Sequence, residues 1–198
     1  MLWRVSHQKS VEEAEHHAQK KTKRYREQDS AKVDAYQRRI AELPAERIAY
    51  VDETGIDEYL YREYGRAKRG ELVYGLISGR KYKRTGIVAA QIGKRVTAPL
   101  QYGGTMDSAL FEMWFETLLL PALPEKTVIV MDNASFHRKN RLAPVAENAG
   151  HTLLFLPPYS PELNPIENFW SWLKNYLRKI LPLFSSFDDA LFQCFQVR

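Results

Sequence analysis

The sequence predicts an α/β domain: a mixed sheet flanked by helices, with an N-terminal helical extension. Three observations predict it. Apolar, β-prone segments come early, at about 47–52, 82–92 and 95–102, with no helix-length pattern between them. From residue 107 the apolar period lengthens to that of a helix, and strand-like and helix-like segments then alternate. Early antiparallel strands followed by alternating α and β build a mixed sheet with helices on its faces.

The elements follow in order. Residues 9–42 are polar, charged and helix-compatible, with too few large apolar side chains to build a core of their own. They read as one or two exposed helices or a linker arm, broken at Pro44. The chain therefore divides into an extension, 1–44, and a domain, 45–198. Arg47-Ile-Ala-Tyr-Val-Asp52 reads as a buried strand ending in an acid, and Glu53-Thr-Gly55 as a turn. Residues 58–64 suit a short strand. Gly70, Gly75 and Gly79 punctuate loops, and Gly93 sits where a hairpin turn belongs. Asp107 or Ser108 caps a helix whose Leu110, Phe111, Trp114, Phe115 and Leu118 share one face, with Pro121 and Pro124 stopping it. Thr127-Val-Ile-Val-Met-Asp132 is an apolar run of the kind found in strands buried on both faces. A helix from about 137 to 149, a strand at 151–156, a Pro-rich loop at 157–165 and a helix of about 165–180 complete the pattern. No internal repeat or low-complexity segment is visible.

Composition narrows the function classes. The 198 residues are 44% hydrophobic and 12% aromatic, a globular composition. Cys194 is the single cysteine, which excludes an internal disulfide framework and a Cys-rich zinc site. No apolar run approaches the roughly 18 residues that suggest a membrane span. The first residues lack the apolar stretch of a signal peptide, so none is expected.

The charge is unevenly placed. The net charge is +5, yet residues 62–95 hold ten basic side chains against Glu63 and Glu71, a local +8. A second cluster comprises Lys20, Lys21, Lys23, Arg24 and Arg26. Tyr61, Tyr64, Tyr74 and Tyr82 interleave with the larger cluster. Cations mixed with aromatic rings suit phosphates and exposed bases, so nucleic acid is favoured over a plain solvated face. A membrane surface is disfavoured, because the cluster falls in a strand-like region and not on an amphipathic helix. The candidate contacts are Arg66, Lys68, Arg69, Arg80, Lys81, Lys83 and Arg84, with His137.

Three acids fall at element ends that can converge. Asp52 and Asp132 end two strands, and Glu167 lies in the first turn of the last long helix. Two carboxylates 4 Å apart repel by about 4 kcal/mol at an effective dielectric of 20. Hard divalent cations such as Mg²⁺ or Mn²⁺ relieve such clusters. Carboxylates holding two ions can activate a nucleophile and stabilise a leaving oxygen in phosphoryl transfer. Duller readings stay open beside this one. Asp52 and Asp132 suit turns, and Asn164-Pro165-Ile166-Glu167 resembles a capping box with Pro at N1. Glu53 should point to the opposite face from Asp52. Glu162 is the best substitute acid. His137 suits a contact to DNA or the site, or a helix start. His16 and His17 lie on a polar segment that does not suggest a metal site. Trp170, Trp172 and Leu173, with Ile166, Leu177 and Ile180, read as helix core, and Cys194 as structural or incidental.

Three strings carry a family resemblance. They are Tyr50-Val-Asp52-Glu-Thr-Gly55, Met131-Asp132-Asn-Ala-Ser-Phe-His137, and Leu156-Pro-Pro-Tyr-Ser-Pro-Glu-Leu-Asn-Pro-Ile-Glu167-Asn-Phe-Trp170. Together they resemble the catalytic (DDE) domain of insertion-sequence transposases, in the bacterial branch of the mariner-like superfamily. The 34 residues between Asp132 and Glu167 match that superfamily's Asp-to-Glu spacing. The resemblance covers about residues 45–198. Tyr64-Gly-Arg-Ala-Lys-Arg-Gly70 is similar too, with Lys68 where the family commonly has Pro.

The resemblance implies a ribonuclease-H-like fold and a site for two Mg²⁺ ions, with Mn²⁺ able to substitute, held by Asp52, Asp132 and Glu167. It implies cut-and-paste DNA transposition: cleavage at the element's ends, then attack of a 3′-hydroxyl on target DNA, commonly at TA. The implied partners are transposon-end and target DNA and a second copy of the chain on DNA. A separately encoded helix-turn-helix subunit joins them, because residues 1–44 are too short and polar to be a complete recognition region. They look like the tail of one, in a split-frame product or a truncated copy. The implied location is the bacterial cytoplasm, at the nucleoid. Two other readings remain: a catalytically silent DNA-binding remnant, and a ribonuclease-H-like nuclease without strand transfer.

Overall fold

A computed structural model describes residues 25–60, 65–76, 78–80 and 82–197. Its centre is a five-stranded sheet built from β1 (Ile48–Asp57), β2 (Arg84–Ile92), β3 (Arg95–Gly103), β4 (Val128–Met131) and β5 (Thr152–Phe155). The spatial order is β3-β2-β1-β4-β5. The first three strands form an antiparallel meander, and β4 and β5 add in parallel. This is the predicted mixed sheet. Gly93, at φ +57°, turns β2 into β3, a conformation that costs glycine little.

Alternation along β1 assigns the two faces. Ala49 and Val51 join Val88, Ala90, Ile129 and Met131 under Phe111, Trp114 and Phe115. Those aromatic residues come from α2 (Ser108–Trp114) and the π-helical turn Phe115–Leu119, which leads into the one-turn helix α3 (Leu120–Ala122). Leu142 and Ala146 of α4 (Lys139–Asn148) complete that layer. On the other face, Ile56, Ile87 and Ala89 meet Ile166, Phe169, Trp170, Leu173 and Leu177 of α5 (Ile166–Ile180). A 15-residue helix is marginal alone in water. Burial of these five side chains, at roughly 1.5–3 kcal/mol for each large one, is what holds α5 to β1.

Several expectations are corrected. Glu53-Thr-Gly55 is not a turn: β1 runs on to Asp57, because β2 pairs with it through Asp57↔Arg84. Asp52 is therefore mid-strand. Residues 58–60 are not strand, and 61–64 lie outside the described residues. The segment 65–76 carries no strand either and is exposed throughout, so its basic residues do not sit in a strand-like region. The extension contains α1 (Ser30–Ala41), capped by Asp29, but it is not wholly exposed. Tyr36 packs with Ile48, Val130 and Leu156 on the sheet. A sixth helix, α6 (Phe187–Gln196), was not foreseen; it buries Ala190, Leu191 and Cys194 against the α5 layer.

Candidate active site

The β1–β4 register sets the first two acids. Tyr50 pairs with Val130 in parallel, so two residues further Asp52 comes level with Asp132, just beyond the end of β4. Glu167 stands in the first turn of α5, whose Ile166 and Trp170 are buried on the β1 face. The indole N–H of Trp170 donates to Asp52 Oδ2 at 2.9 Å. The buried side-chain amide of Asn164 donates to the Val51 carbonyl at 3.2 Å, pinning the start of α5 beside Asp52. Asn164 Oδ1 is buried without a hydrogen-bond partner.

These contacts correct the capping reading. α5 begins at Ile166 with Pro165 at the N-cap and no side-chain cap, and Asn164 spends its amide on β1 instead. Capping therefore does not explain Glu167. The electrostatics point elsewhere: burial pushes the Asp52 carboxyl up to about 8, and the charges of Glu167 and then Glu53 add to the rise.

Asp132 is held by a different partner. His137 Nδ1 lies 3.1 Å from Asp132 Oδ1, and its Nε2 lies 3.3 Å from Glu53 Oε1. The ring is enclosed, 2% exposed, between Phe111 and Phe136. Burial alone would push His137 down, but hydrogen bonds to Asp132 and Glu53 hold it up at about 9. The hydrogen bond from His137 in turn draws Asp132 below the usual carboxylate range. His137 does not begin a helix; α4 starts two residues later. Glu53 faces the α2–α4 layer, away from Trp170, as alternation requires, yet it reaches Asp132 through His137.

The segment after Asp132 is anchored twice more. The Asn133 amide donates to the Leu156 carbonyl at 2.6 Å, bridging the ends of β4 and β5. On α2, the buried carboxylate of Glu112 takes Arg138 Nε at 2.6 Å and Nη2 at 2.7 Å, and Arg141 Nε at 2.8 Å. Sequence reasoning missed this clamp. An acid inside an otherwise apolar helix face was the available signal.

Among the described residues, no three His, Cys, Asp or Glu side chains are gathered closely enough to hold a metal ion. Asp52 and Asp132 turn to Trp170 and His137 in this arrangement. Glu162 accepts from Gln28 at 2.5 Å, while Gln28 also bonds Ser160 Oγ at 2.8 Å. The extension thus lies against the Pro-rich loop.

The predicted DNA contacts are divided. Arg66, Lys68, Arg69 and Arg80 are exposed on the irregular segment between β1 and β2. Lys81, Tyr61 and Tyr64 lie outside the described residues. Lys83 pairs with Glu58 at 3.7 Å. Arg84 opens β2 and lies across Gly55. Tyr82 stacks on Tyr59 at 4.6 Å, and Tyr74 is exposed.

A five-stranded mixed sheet between helical layers, with this strand order, is the ribonuclease-H-like fold, which the Mos1 transposase catalytic domain shares. The chain belongs to the DDE superfamily endonuclease family, whose model matches residues 47–189. The Mos1 mariner paired-end complex with Mg is similar in fold, with a TM-score of 0.61 at 14% identity over 92% of this chain and 64% of that chain. The Mos1 transposase catalytic domain with raltegravir and Mg has a TM-score of 0.51 at 17% identity, over 84% of this chain and 85% of that one. An uncharacterized protein of Sinorhizobium fredii, y4pE/y4sA, is 41% identical over 68 residues, 34% of this chain and 47% of that protein. The chain thus spans about half of that relative and less than two thirds of the paired-end Mos1 chain.

Proposed function

We propose that this chain is the catalytic part of a DNA transposase that cuts transposon ends and joins them to target DNA. The observation that carries the reading is the β1–β4 register, which sets Asp52 level with Asp132 while α5 brings the charge of Glu167 to bear on Asp52. We assign Asp52, Asp132 and Glu167 as the acids of the site. Their oxygen donors fit Mg²⁺ or Mn²⁺; burial first, and the charges of Glu167 and Glu53 after it, raise the affinity of Asp52 for a proton, and a bound cation would offset both. The bound metal, two ions in this reading, supplies charge stabilisation at the reacting phosphate.

The chain's own residues do the rest. Arg66, Lys68, Arg69 and Arg80 draw in the phosphate backbone. Trp170 fixes one oxygen of Asp52, and His137 orients Asp132. In joining, a terminal 3′-oxygen attacks a target phosphorus. A new P–O bond forms, the target's P–O3′ bond breaks, and the proton of the attacking hydroxyl leaves to solvent as the departing 3′-oxygen gains one. TA target sites, a dimer on DNA, a separate helix-turn-helix subunit and a nucleoid location in the cytoplasm belong to the same proposal. The Mos1 paired-end complex, with transposon-end DNA, supports DNA as the partner. No helix among the described residues is long and apolar enough to cross a membrane.

The test is incubation with a pre-cut end bearing a 3′-hydroxyl, a TA-containing plasmid and Mn²⁺. Joined product supports the transposase reading. Nicking without joining supports the nuclease, and binding alone the silent remnant.

A further inference from the structure

On the Glu53 face of the sheet, across β1 from the Asp52 side chain, a cleft of about 320 Å³ opens between β1, β2, β3 and the turn that follows. Its floor is unusual in having no side chains where two strands meet. Gly55 pairs with Gly86 across β1 and β2, and Gly86 pairs in turn with Tyr102 of β3. Both glycines are filled from above. A Cβ on Gly55 would lie 2.4 Å from Arg84 Nε, and one on Gly86 would lie 2.3 Å from the Tyr102 ring. Real Cβ atoms do not approach so closely, so the two glycines are what let a guanidinium and a phenol ring lie flat on the sheet. Glu53, Thr105, Met106 and Phe136 are among the other lining residues.

We propose that this cleft is the subsite for one unstacked nucleotide of the DNA strand handled at the acids, reached around the open edge of β1 beyond the end of β4, with Arg84 on its phosphate and Tyr102 against its base. The inference rests on the transposase reading for the identity of that strand. The chemistry selects the ligand class. A planar guanidinium recognises phosphate oxygens, and an aromatic ring accepts any base by stacking. The volume sits at the lower end of small-ligand pockets, ~300–1,000 Å³, so one nucleotide fits and a duplex does not. The cleft also joins the site through the chain itself. Glu53 on its rim follows Asp52 directly and bonds His137, and Phe136 packs on the same His137 ring at 4.4 Å. The one carboxylate in the lining is thereby engaged, which leaves Arg84 to set the sign of the charge offered to a phosphate.

The experiment uses the full chain and a single-stranded DNA octamer carrying 2-aminopurine, whose fluorescence falls when the base stacks. The expected result is quenching on binding to the unaltered protein. Tyr102→Leu should lose the quench and bind about five-fold or more weakly, with an unchanged salt slope, since stacking is not an ionic contact. Tyr102→Phe should retain both. Gly86→Ala keeps the tyrosine but displaces its ring, and should behave like Tyr102→Leu. Arg84→Gln should flatten the salt slope by about 0.7, the value for one single-strand phosphate. Full quenching by Tyr102→Leu, or loss by Tyr102→Phe equal to that by Tyr102→Leu, overturns the proposal. Should Tyr102→Leu not fold, full quenching by Gly86→Ala overturns it as well. The two readings fail separately: no joining with the quench and its Tyr102 dependence intact counts against the transposase and for the cleft.

Discussion

The indole N–H of Trp170 donates to Asp52 Oδ2 at 2.9 Å, so the helix bearing Glu167 is tied to the central strand at a carboxylate. Burial first, and Glu167 second, push that carboxyl up to about 8. A buried acid facing other acids is a cost to the fold, and sites of this kind trade stability for activity. Asp52→Asn removes the charge and keeps an acceptor for Trp170. It should unfold in urea at equal or higher denaturant than the unaltered, metal-free protein, and be inactive. Trp170→Phe leaves the carboxylate without its donor and should cost about 1–3 kcal/mol in the same assay.

The Glu112 clamp fixes where the chain goes after Asp132. Glu112 is buried, while Arg138 and Arg141 are each about half exposed. Removing either arginine leaves the carboxylate one partner, whereas removing Glu112 releases both. Arg138→Ala and Arg141→Ala should each cost roughly 1 kcal/mol. The double variant should cost more than their sum, because only then is Glu112 buried and unpaired. Chemical denaturation of the four proteins measures the coupling.

DNA affinity should depend on the exposed segment between β1 and β2. Arg66, Lys68, Arg69 and Arg80 are exposed there, and Lys83 is already paired with Glu58. Alanine at the first four should flatten the dependence of log affinity on log salt by roughly 0.9 for each phosphate no longer neutralised. Lys83→Ala should change it less. Fluorescence anisotropy of labelled duplex across a salt series gives both slopes.

His151 should make the fold acid-sensitive. Its buried Nδ1 accepts the Thr127 backbone N–H at 3.3 Å, which requires the neutral ring, and burial holds its pKa below 6.5. The unfolded chain takes up a proton near 6.5, and the folded chain does so only at lower pH. The contribution is therefore complete above 6.5 and lost as pH falls below it. His151→Gln should show a smaller drop in melting temperature between pH 7 and pH 5 than the unaltered protein.

Much of the fold was legible because it rests on local patterns. The apolar run Thr127–Met131, the Gly93 turn and the one-faced pattern of Phe111, Trp114 and Phe115 each became the element expected. The continuation of β1 past Asp52 was not legible, because Glu53, Thr54 and Gly55 look like a turn until β2 pairs with them. α6 was missed although Ser186 and Asp189 form a capping pair, with the hydroxyl accepting the Asp189 N–H at 3.0 Å. The acids proposed for the site stand out in their strings. Their partners could not: Trp170 is core as expected but also donates to Asp52, Asn164 looked like a cap, and Glu53 like a bystander, and each of these contacts joins residues far apart along the chain.

Glu167→Gln tests the central assignment most directly. The structure gives Glu167 no capping bond to lose, and its first-turn position leaves the side chain exposed. Glutamine keeps the shape and removes the charge a divalent ion needs. The measurement is joining of a 3′-hydroxyl end to plasmid in Mn²⁺, run beside thermal melting with and without the metal. The account predicts an equal or higher melting temperature without metal, a smaller metal-induced rise, intact DNA binding and no joined product. Joining at the unaltered rate with an undiminished metal-induced rise would contradict it and remove Glu167 from the site.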